Sequence, residues 1–274
     1  MVGGDLYVGG DFVSNTETNV TFIARLNRQT QAWEQVGNGL NGPVFAICSY
    51  QGKLVVGGVF TNAGGNPQAN GVAWLEENGS WANLGAGVSG TNSLGDNGAV
   101  WALAACGTNL FVGGEFSVAG SRANANGLGV WDGHAWTTVG SGLLPVDDYY
   151  SLFYPDLAVY AMVARGNSLF VAGRFSGARD ANEVSARLIA QATWSEQLQS
   201  WSWSDLDLGL TWVDPDEISG VAWSLAGIDG PDAGSLDIYA GGLFEFAGTT
   251  QLLAHNASRW SIGRPFPPGP PHVT

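Results

Sequence analysis

The sequence predicts an all-β fold, a β-propeller of about five four-stranded blades with the first and last incomplete. Three observations predict it. A heptad containing two small residues returns five times, as Leu6-Tyr-Val-Gly-Gly-Asp-Phe12, Leu54-Val-Val-Gly-Gly-Val-Phe60, Leu110-Phe-Val-Gly-Gly-Glu-Phe116, Leu169-Phe-Val-Ala-Gly-Arg-Phe175 and Ile238-Tyr-Ala-Gly-Gly-Leu-Phe244. Counted from Leu6, Leu54, Leu110, Leu169 and Ile238, these heptads lie 48, 56, 59 and 69 residues apart. A period near fifty with four short strands per unit is that of a propeller blade. Composition agrees: 41 glycines and 12 tryptophans, with 12% charged residues, suit tight turns between aromatic-rich strands.

Each unit reads as strands A to D. Strand A is Val44-Phe-Ala-Ile, Val100-Trp-Ala-Leu, Val159-Tyr-Ala-Met and Ala222-Trp-Ser-Leu. Strand B is the heptad itself. A glycine pair weakens a lone strand, having no side chains to pack and much backbone entropy to lose. Its recurrence at one place therefore predicts close backbone approach, where neighbouring blades crowd together. Strand C is Ile23-Ala-Arg-Leu26, Val72-Ala-Trp-Leu75, Leu128-Gly-Val-Trp131, Ser185-Ala-Arg-Leu188 and Ala257-Ser-Arg-Trp260. This places Arg25, Arg187 and Arg259 in one slot, to be held by a neighbouring carboxylate or laid over apolar surface. Strand D carries Trp33, Trp81, Trp136 or Trp203 and leaves through a glycine-rich exit such as Val36-Gly-Asn-Gly-Leu40. Gly, Asn and Asp turns separate the strands, as antiparallel hairpins require.

One propeller domain is expected over 1–262, with repeats near 5–42, 43–98, 99–157, 158–220 and 221–262, and a proline-rich tail at 263–274. The first unit has no strand A and the last no strand D. Two strand edges are then left open, and open edges invite chain-to-chain association. The tail suits extended polyproline-type chain, because proline donates nothing to a ladder.

The unit "LFVGGEFSVAG…ANGLGVWDGHAWTTVGSGL…AVYAM" resembles the repeats of secreted or surface-exposed bacterial β-propellers. It is also similar to kelch and galactose-oxidase-type blades, which share the diglycine and the later tryptophan. The resemblance runs from residue 5 to about 262. It implies a fold more than a function, because propellers carry many unrelated activities.

Charge narrows the partners. A net charge of -14 with ten basic residues is wrong for nucleic acid, which is gripped by Lys and Arg. No apolar run of about eighteen residues exists to insert in a membrane. The opening "MVGGDLYVGG" has no basic region, apolar run and cleavage site, so no signal peptide is expected there. The acidic, lysine-poor, Asn/Gly/Thr-rich composition points to an extracellular or cell-surface location. Three sequons, at Asn19, Asn78 and Asn256, are candidate glycosylation sites. Cys48 and Cys106 leave a disulfide open.

Chemistry is sparse. His134, His255 and His272 have no metal-ligand spacing, and no nucleophile elbow, phosphate loop or dinucleotide fingerprint occurs. No cofactor is expected, with calcium on Asp229, Asp232 and Asp237 as the one candidate. Asp147-Asp148, Asp214-Pro-Asp216-Glu217 and Asp229-Gly-Pro-Asp232 are candidates for an acid and base pair, the basis of an alternative reading as a carbohydrate-active enzyme. The inner strands carry no carboxylates in their A motifs, which favours a non-enzymatic protein.

The connections from D to the next A lengthen along the chain, from Asn41-Gly42 to 89–98, 144–157 and 211–220. Long, unlike loops on one face of a rigid scaffold are where recognition resides. Tyr149, Tyr150, Phe153, Tyr154 and Trp212, with Asp147, Asp148, Asp214 and Asp216, are the candidate binding residues. The expected function is a structural or adhesive module, assembling with itself or holding a glycan or protein through these loops.

Overall fold

A glycine pair in mid-strand removes two side chains from the ladder, and the computed structural model reveals what fills the space. The structure describes residues 4–13, 20–90, 98–146, 157–180, 183–207, 209–211, 220–230, 232, 234–248 and 252–262. Opposite each pair, strand A carries one residue more than strand B. Val44 faces Gly58 and Ala46 faces Gly57, leaving Phe45 over. The same shift strands Trp101 between Val100↔Gly114 and Ala102↔Gly113. It strands Tyr160 between Val159↔Gly173 and Ala161↔Ala172, and Trp223 between Ala222↔Gly242 and Ser224↔Gly241. These are β-bulges, in which one strand bends to accommodate an unpaired residue.

The bend pushes a strand A carbonyl against the second glycine. A Cβ there would lie 1.9 Å from the Pro43 oxygen at Gly58, 1.9 Å from Ala99 O at Gly114, 2.0 Å from Ala158 O at Gly173 and 2.1 Å from Val221 O at Gly242. The first glycine has a different neighbour. A Cβ at Gly9 would lie 2.6 Å from Val44 Cγ1, and one at Gly57 2.4 Å from Val100 Cγ1. Those valines open the next blade's strand A. Crowding between blades therefore explains Gly9 and Gly57, while the second glycine answers to its own blade.

Backbone contacts divide the chain into two units, 1–142 and 143–274. Unit 1 holds a three-stranded sheet (Leu6–Val13, Thr21–Asn27, Ala32–Gln35) and two four-stranded blades. The first of these is Val44–Tyr50, Lys53–Gly58, Val72–Leu75 and Trp81–Asn83; the second is Ala99–Cys106, Asn109–Glu115, Leu128–Trp131 and Trp136–Thr137. Unit 2 holds a four-stranded blade (Ala158–Arg165, Ser168–Arg174, Ile189–Ser195, Ser200–Ser204) and a three-stranded one (Val221–Asp229, Leu236–Leu243, Ala257–Ile262). All pairs within these sheets are antiparallel, and no helix occurs among the described residues. The chain is built of β-propeller blades.

Among the described residues, the first sheet holds strands B, C and D and the last holds strands A, B and C. A small ribbon ties the exit of each strand D to the B–C connection of the next repeat. Leu40 bridges Ala63, Val88 pairs with Ala119, Leu143 with Ala178 and Leu210 with Ala247. In unit 1 the amides of Gly64 and Gly120 donate to Gly39 O and Gly87 O at 2.7 Å each. The strand D tryptophans wedge beside these ribbons. A Cβ at Gly120 would meet Trp136 Cδ1 at 2.4 Å, and Trp136 Nε1 donates to Leu84 O at 2.7 Å. Trp81, Trp136 and Trp203 are each 5% exposed, whereas Trp33 in the first sheet is 42% exposed.

The cores are layers between successive blades. One joins Ile23 and Val36 to Leu54, Val56 and Trp81; another joins Val55 and Val72 to Leu110, Val112 and Trp136; in unit 2, Phe170 and Ile189 meet Ile238, Ala240 and Trp260. Neither Cys48 nor Cys106 is in a disulfide, and burial pushes the Cys48 thiol up to about 12.

Strand C of the fourth repeat lies at Ile189–Ser195, which corrects the expected 185–188. Five residues with left-handed backbone stand at or just before the start of the C strands: Phe22 (φ 60), Gly71 (φ 69), Gly127 (φ 72), Leu188 (φ 62) and Asn256 (φ 72). The carbonyls of Gly71, Gly127, Leu188 and Asn256 accept from the second-glycine amides at 2.9–3.1 Å. Leu188 is thus a corner, not a strand end. Arg25, Trp74, Val130, Gln191 and Arg259 are the residues that share the slot opposite strand B. Arg187 instead falls in the slot of Asn70, each lending its carbonyl to the ribbon, at 3.0 Å to Leu210 N and Val88 N respectively. Arg25 behaves as expected, contacting Glu34 at 2.9 Å and Asp5 at 3.7 Å. Hydrogen bonds from Asn27 and Arg25 hold the Glu34 carboxyl below its usual range.

Candidate functional site

The bulges decide what strand A offers to solvent. A bulge re-aims a side chain that regular pleating would bury, and here the extra residue is aromatic every time: Phe45, Trp101, Tyr160 and Trp223. The flanking Val44, Ala46, Val100, Ala102, Val159 and Ala222 stay inside. Val44 is 1% exposed and Val100 0%, while Phe45 is 41% and Trp223 56% exposed, with Trp101 and Tyr160 half-buried. Within unit 1 the rings of Phe45 and Trp101 lie 4.5 Å apart and are inclined at 32°. Two neighbouring blades thereby build one aromatic surface on a fixed backbone.

Each of these aromatics stands at the start of its own strand A, where the chain enters from the preceding repeat. Each connection leaves a blade through the ribbon and re-enters at strand A one or two residues before a bulged aromatic. The described feet are packed against the blades. Val146 is buried, the Ser176 hydroxyl donates to Pro145 O at 2.6 Å, and Val88, Leu143 and Leu210 are fully buried in the ribbons. The candidate binding residues Asp147, Asp148, Tyr149, Tyr150, Phe153, Tyr154, Trp212, Asp214 and Asp216 lie outside the described residues, as do Asn19, His272 and the 263–274 tail. The structure instead supplies Phe45, Trp101, Tyr160 and Trp223. Their signal in the sequence was an aromatic second residue in every A motif.

The residue following the glycine pair also varies, as Asp11, Val59, Glu115, Arg174 and Leu243. Glu115 pairs with Ala99 and Arg174 with Ala158, beside the bulges. Arg174 is 1% exposed, a guanidinium carried into the interior of its blade.

The opposite ends of the unit 2 blades, at their A–B turns, frame a cleft of about 780 Å³. Arg165, Asn167, Asp229, Asp232 and Ser235 line it. The calcium candidate does not assemble there. Asp229 is 87% exposed and faces Arg165 at 3.9 Å, while Asp237 is buried and accepts from Ser261 Oγ at 2.6 Å. Among the described residues, no three His, Cys, Asp or Glu side chains come close enough to share a metal ion. Asp237 fails as a ligand for a physical reason: its strand position points it at strand C rather than at the turn. His134 sits in an exposed turn, where the Asp132 carboxylate accepts the amides of Ala135 and His134 and is held low by them. Asn78 is exposed at a turn tip, and Asn256 is exposed with its side-chain oxygen accepting from Phe244 N.

Comparison with known proteins supports the blade and is silent on chemistry. A family model described as a domain of unknown function (DUF5122), beta-propeller, matches residues 52–80, which run from strand B of the second repeat to the start of its strand D. No curated protein matches the chain. Among solved structures, a chain of an S. cerevisiae complex of dbp5 with nup159, gle1, ip6 and adp is similar at 11% identity and a TM-score of 0.47. That match covers 96% of this chain and 58% of the other. A computationally designed protein, Ika8, is similar at 13% identity and a TM-score of 0.43, covering 96% of this chain and 73% of its own. The extracellular domain of a hybrid two-component system, BT4673 of B. thetaiotaomicron, gives 12% identity and a TM-score of 0.41, over 92% of this chain and 29% of that one. The chain thus spans 58% of the first of these structures.

Proposed function

We propose that this protein is a non-enzymatic binding propeller, working at a cell surface or outside the cell, that holds a glycan or protein on its strand A face. The observation that carries the reading is the Phe45–Trp101 pair, two rings 4.5 Å apart on adjacent bulges, with Phe45 41% exposed. Exposed aromatics of this kind offer large apolar area at low entropy cost and stack on sugar rings or on apolar side chains. The bulged backbone fixes them before a ligand arrives, so little ordering cost is left to offset affinity. The connections that end beside them supply the residues that differ between blades, which suits selectivity. The acidic, lysine-poor composition supports the extracellular placement, and Asn78 offers an accessible sequon.

Glycan and protein arrays probed with the parent chain and with a Phe45→Ala/Trp101→Ala double variant test this reading. The expected result is saturable binding by the parent that falls at least tenfold in the variant, with an unchanged far-ultraviolet spectrum. A parent that binds nothing, or a variant that binds as well as the parent, overturns it. The carbohydrate-active alternative is tested alongside: release of free sugar from any bound glycan would replace the binder by an enzyme.

A further inference from the structure

The cleft at the A–B turns of unit 2 is built by departures from the repeat. In the second, third and fourth repeats two residues join strand A to strand B, at 51–52, 107–108 and 166–167. In the fifth, six residues do so, at 230–235, and strand B starts two residues ahead of its heptad rather than one. This longer hairpin supplies Asp229, Asp232, Ser235 and Leu236 to one wall of the cleft.

The other wall is opened by two exchanges. In unit 1 the second repeat fills the corresponding gap. Tyr50 is buried and donates to Thr108 O at 2.6 Å, and Trp74 stacks on it with ring centroids 6.5 Å apart. Their positions in the fourth repeat belong to Arg165 and Gln191, which pair with Ser168 and Phe170 as Tyr50 and Trp74 do with Lys53 and Val55. Gln191 turns back on its own blade, its Nε2 donating to Ser168 Oγ at 3.3 Å. Arg165 stands 3.9 Å from Asp229, beyond a hydrogen bond, with both side chains more than half exposed. Exchanging two aromatic fillers for polar chains gives up apolar burial. What is gained is an open volume of about 780 Å³, the size of a small-ligand site.

We infer that this cleft binds a neutral hexopyranose unit. Its walls carry opposite charge, Arg165 from the fourth blade and Asp229 with Asp232 from the fifth. A ligand of one net sign would meet a like charge on one side. A sugar diol suits both sides, because every hydroxyl donates and accepts. One hydroxyl donates to Asp229 while its neighbour accepts from Arg165, parting an exposed ion pair that contributes little by itself. Leu236 and Ile262, both half-buried, offer apolar surface to the C–H face of the ring. The cleft lies at the other end of the blades from the bulged aromatics and binds independently of them.

The test is calorimetric titration of the full chain with the methyl pyranosides of mannose, glucose and galactose at millimolar concentration. Saturable binding of at least one is expected. It should be at least tenfold weaker for Asp229→Ala and for Arg165→Gln, exposed positions whose variants should keep the parent's melting temperature. It should be unchanged in Phe45→Ala/Trp101→Ala, which separates this site from the strand A face. The inference is overturned if none of the three sugars binds, or if Asp229→Ala binds as the parent does. Loss of binding in Phe45→Ala/Trp101→Ala also overturns it, by placing the sugar on strand A, and so does tighter binding of zwitterionic L-alanine than of every sugar.

Discussion

Gly114→Ala is the sharpest perturbation the blades offer. The new Cβ would lie 1.9 Å from Ala99 O, 2.9 Å from Ala99 C and 3.0 Å from Val100 Cα. Real Cβ atoms essentially never come within 3.0 Å of such atoms, so strands A and B must part by at least 1.1 Å at this point. The obstacle is backbone and cannot rotate away. Moving it drags Val100, which is fully buried against the space beside Gly57. Overpacking of this kind costs about 1–3 kcal/mol, and a buried backbone hydrogen bond stretched beyond use adds about 1–2 kcal/mol. Alanine's stiffer unfolded chain offsets about 0.4–1 kcal/mol. The net expectation is a loss of about 1–5 kcal/mol, or a fall in melting temperature of roughly 2–20 °C for a chain of this size. Urea unfolding followed by tryptophan fluorescence reads it directly, since Trp131 and Trp136 belong to the same blade. Gly10→Ala, whose new Cβ would meet only the ring of Phe12, at 3.2 Å, is the internal control, with an expected change below about 0.5 kcal/mol. A Gly114→Ala midpoint equal to that of Gly10→Ala would refute the reasoning.

Three other outcomes follow from the same geometry. Trp136→Phe removes the buried Nε1 bond to Leu84 O and should cost about 1–3 kcal/mol in urea, whereas Trp33→Phe, at an exposed position, should cost less than about 0.5 kcal/mol. Cys48, with its thiol raised from 9.0 to about 12 by burial, should resist iodoacetamide at pH 8 in the folded chain and react once urea unfolds it. The sign for stability follows: the unfolded thiol ionises first, so stability attributable to Cys48 is intact below pH 9 and declines as pH rises from 9 toward 12, and Cys48→Ala should flatten that decline in a pH series of urea midpoints.

The strands were legible because their pattern is local. Alternating apolar residues, a glycine pair and a tryptophan per strand D locate four of five C strands and all five B strands. The bulge was not legible, because Val-aromatic-Ala-aliphatic reads as regular alternation until a carbonyl is found against the second glycine. Strand C of the fourth repeat was missed for a related reason. Ser185-Ala-Arg-Leu188 imitates Ile23-Ala-Arg-Leu26 in sequence, while Leu188 adopts the left-handed corner that Gly71 and Gly127 announce openly. Composition alone does not disclose that a leucine will accept φ 62 when two hydrogen bonds fix it. The calcium candidate failed because sequence spacing ignores strand polarity: Asp237 faces Ser261, and Asp229 faces Arg165. The candidate loops are legible only as long and aromatic, and the strand A motifs alone do not show that their aromatics bulge outward.

The central claim is that ligand rests on the bulged aromatics of strand A. A crystal structure of the chain with the strongest ligand from the arrays tests it most directly. The account predicts ligand density packed over Phe45 and Trp101, at the feet of the D–A connections. Density in the cleft lined by Arg165, Asn167 and Asp229, with Phe45 and Trp101 bare, would contradict it.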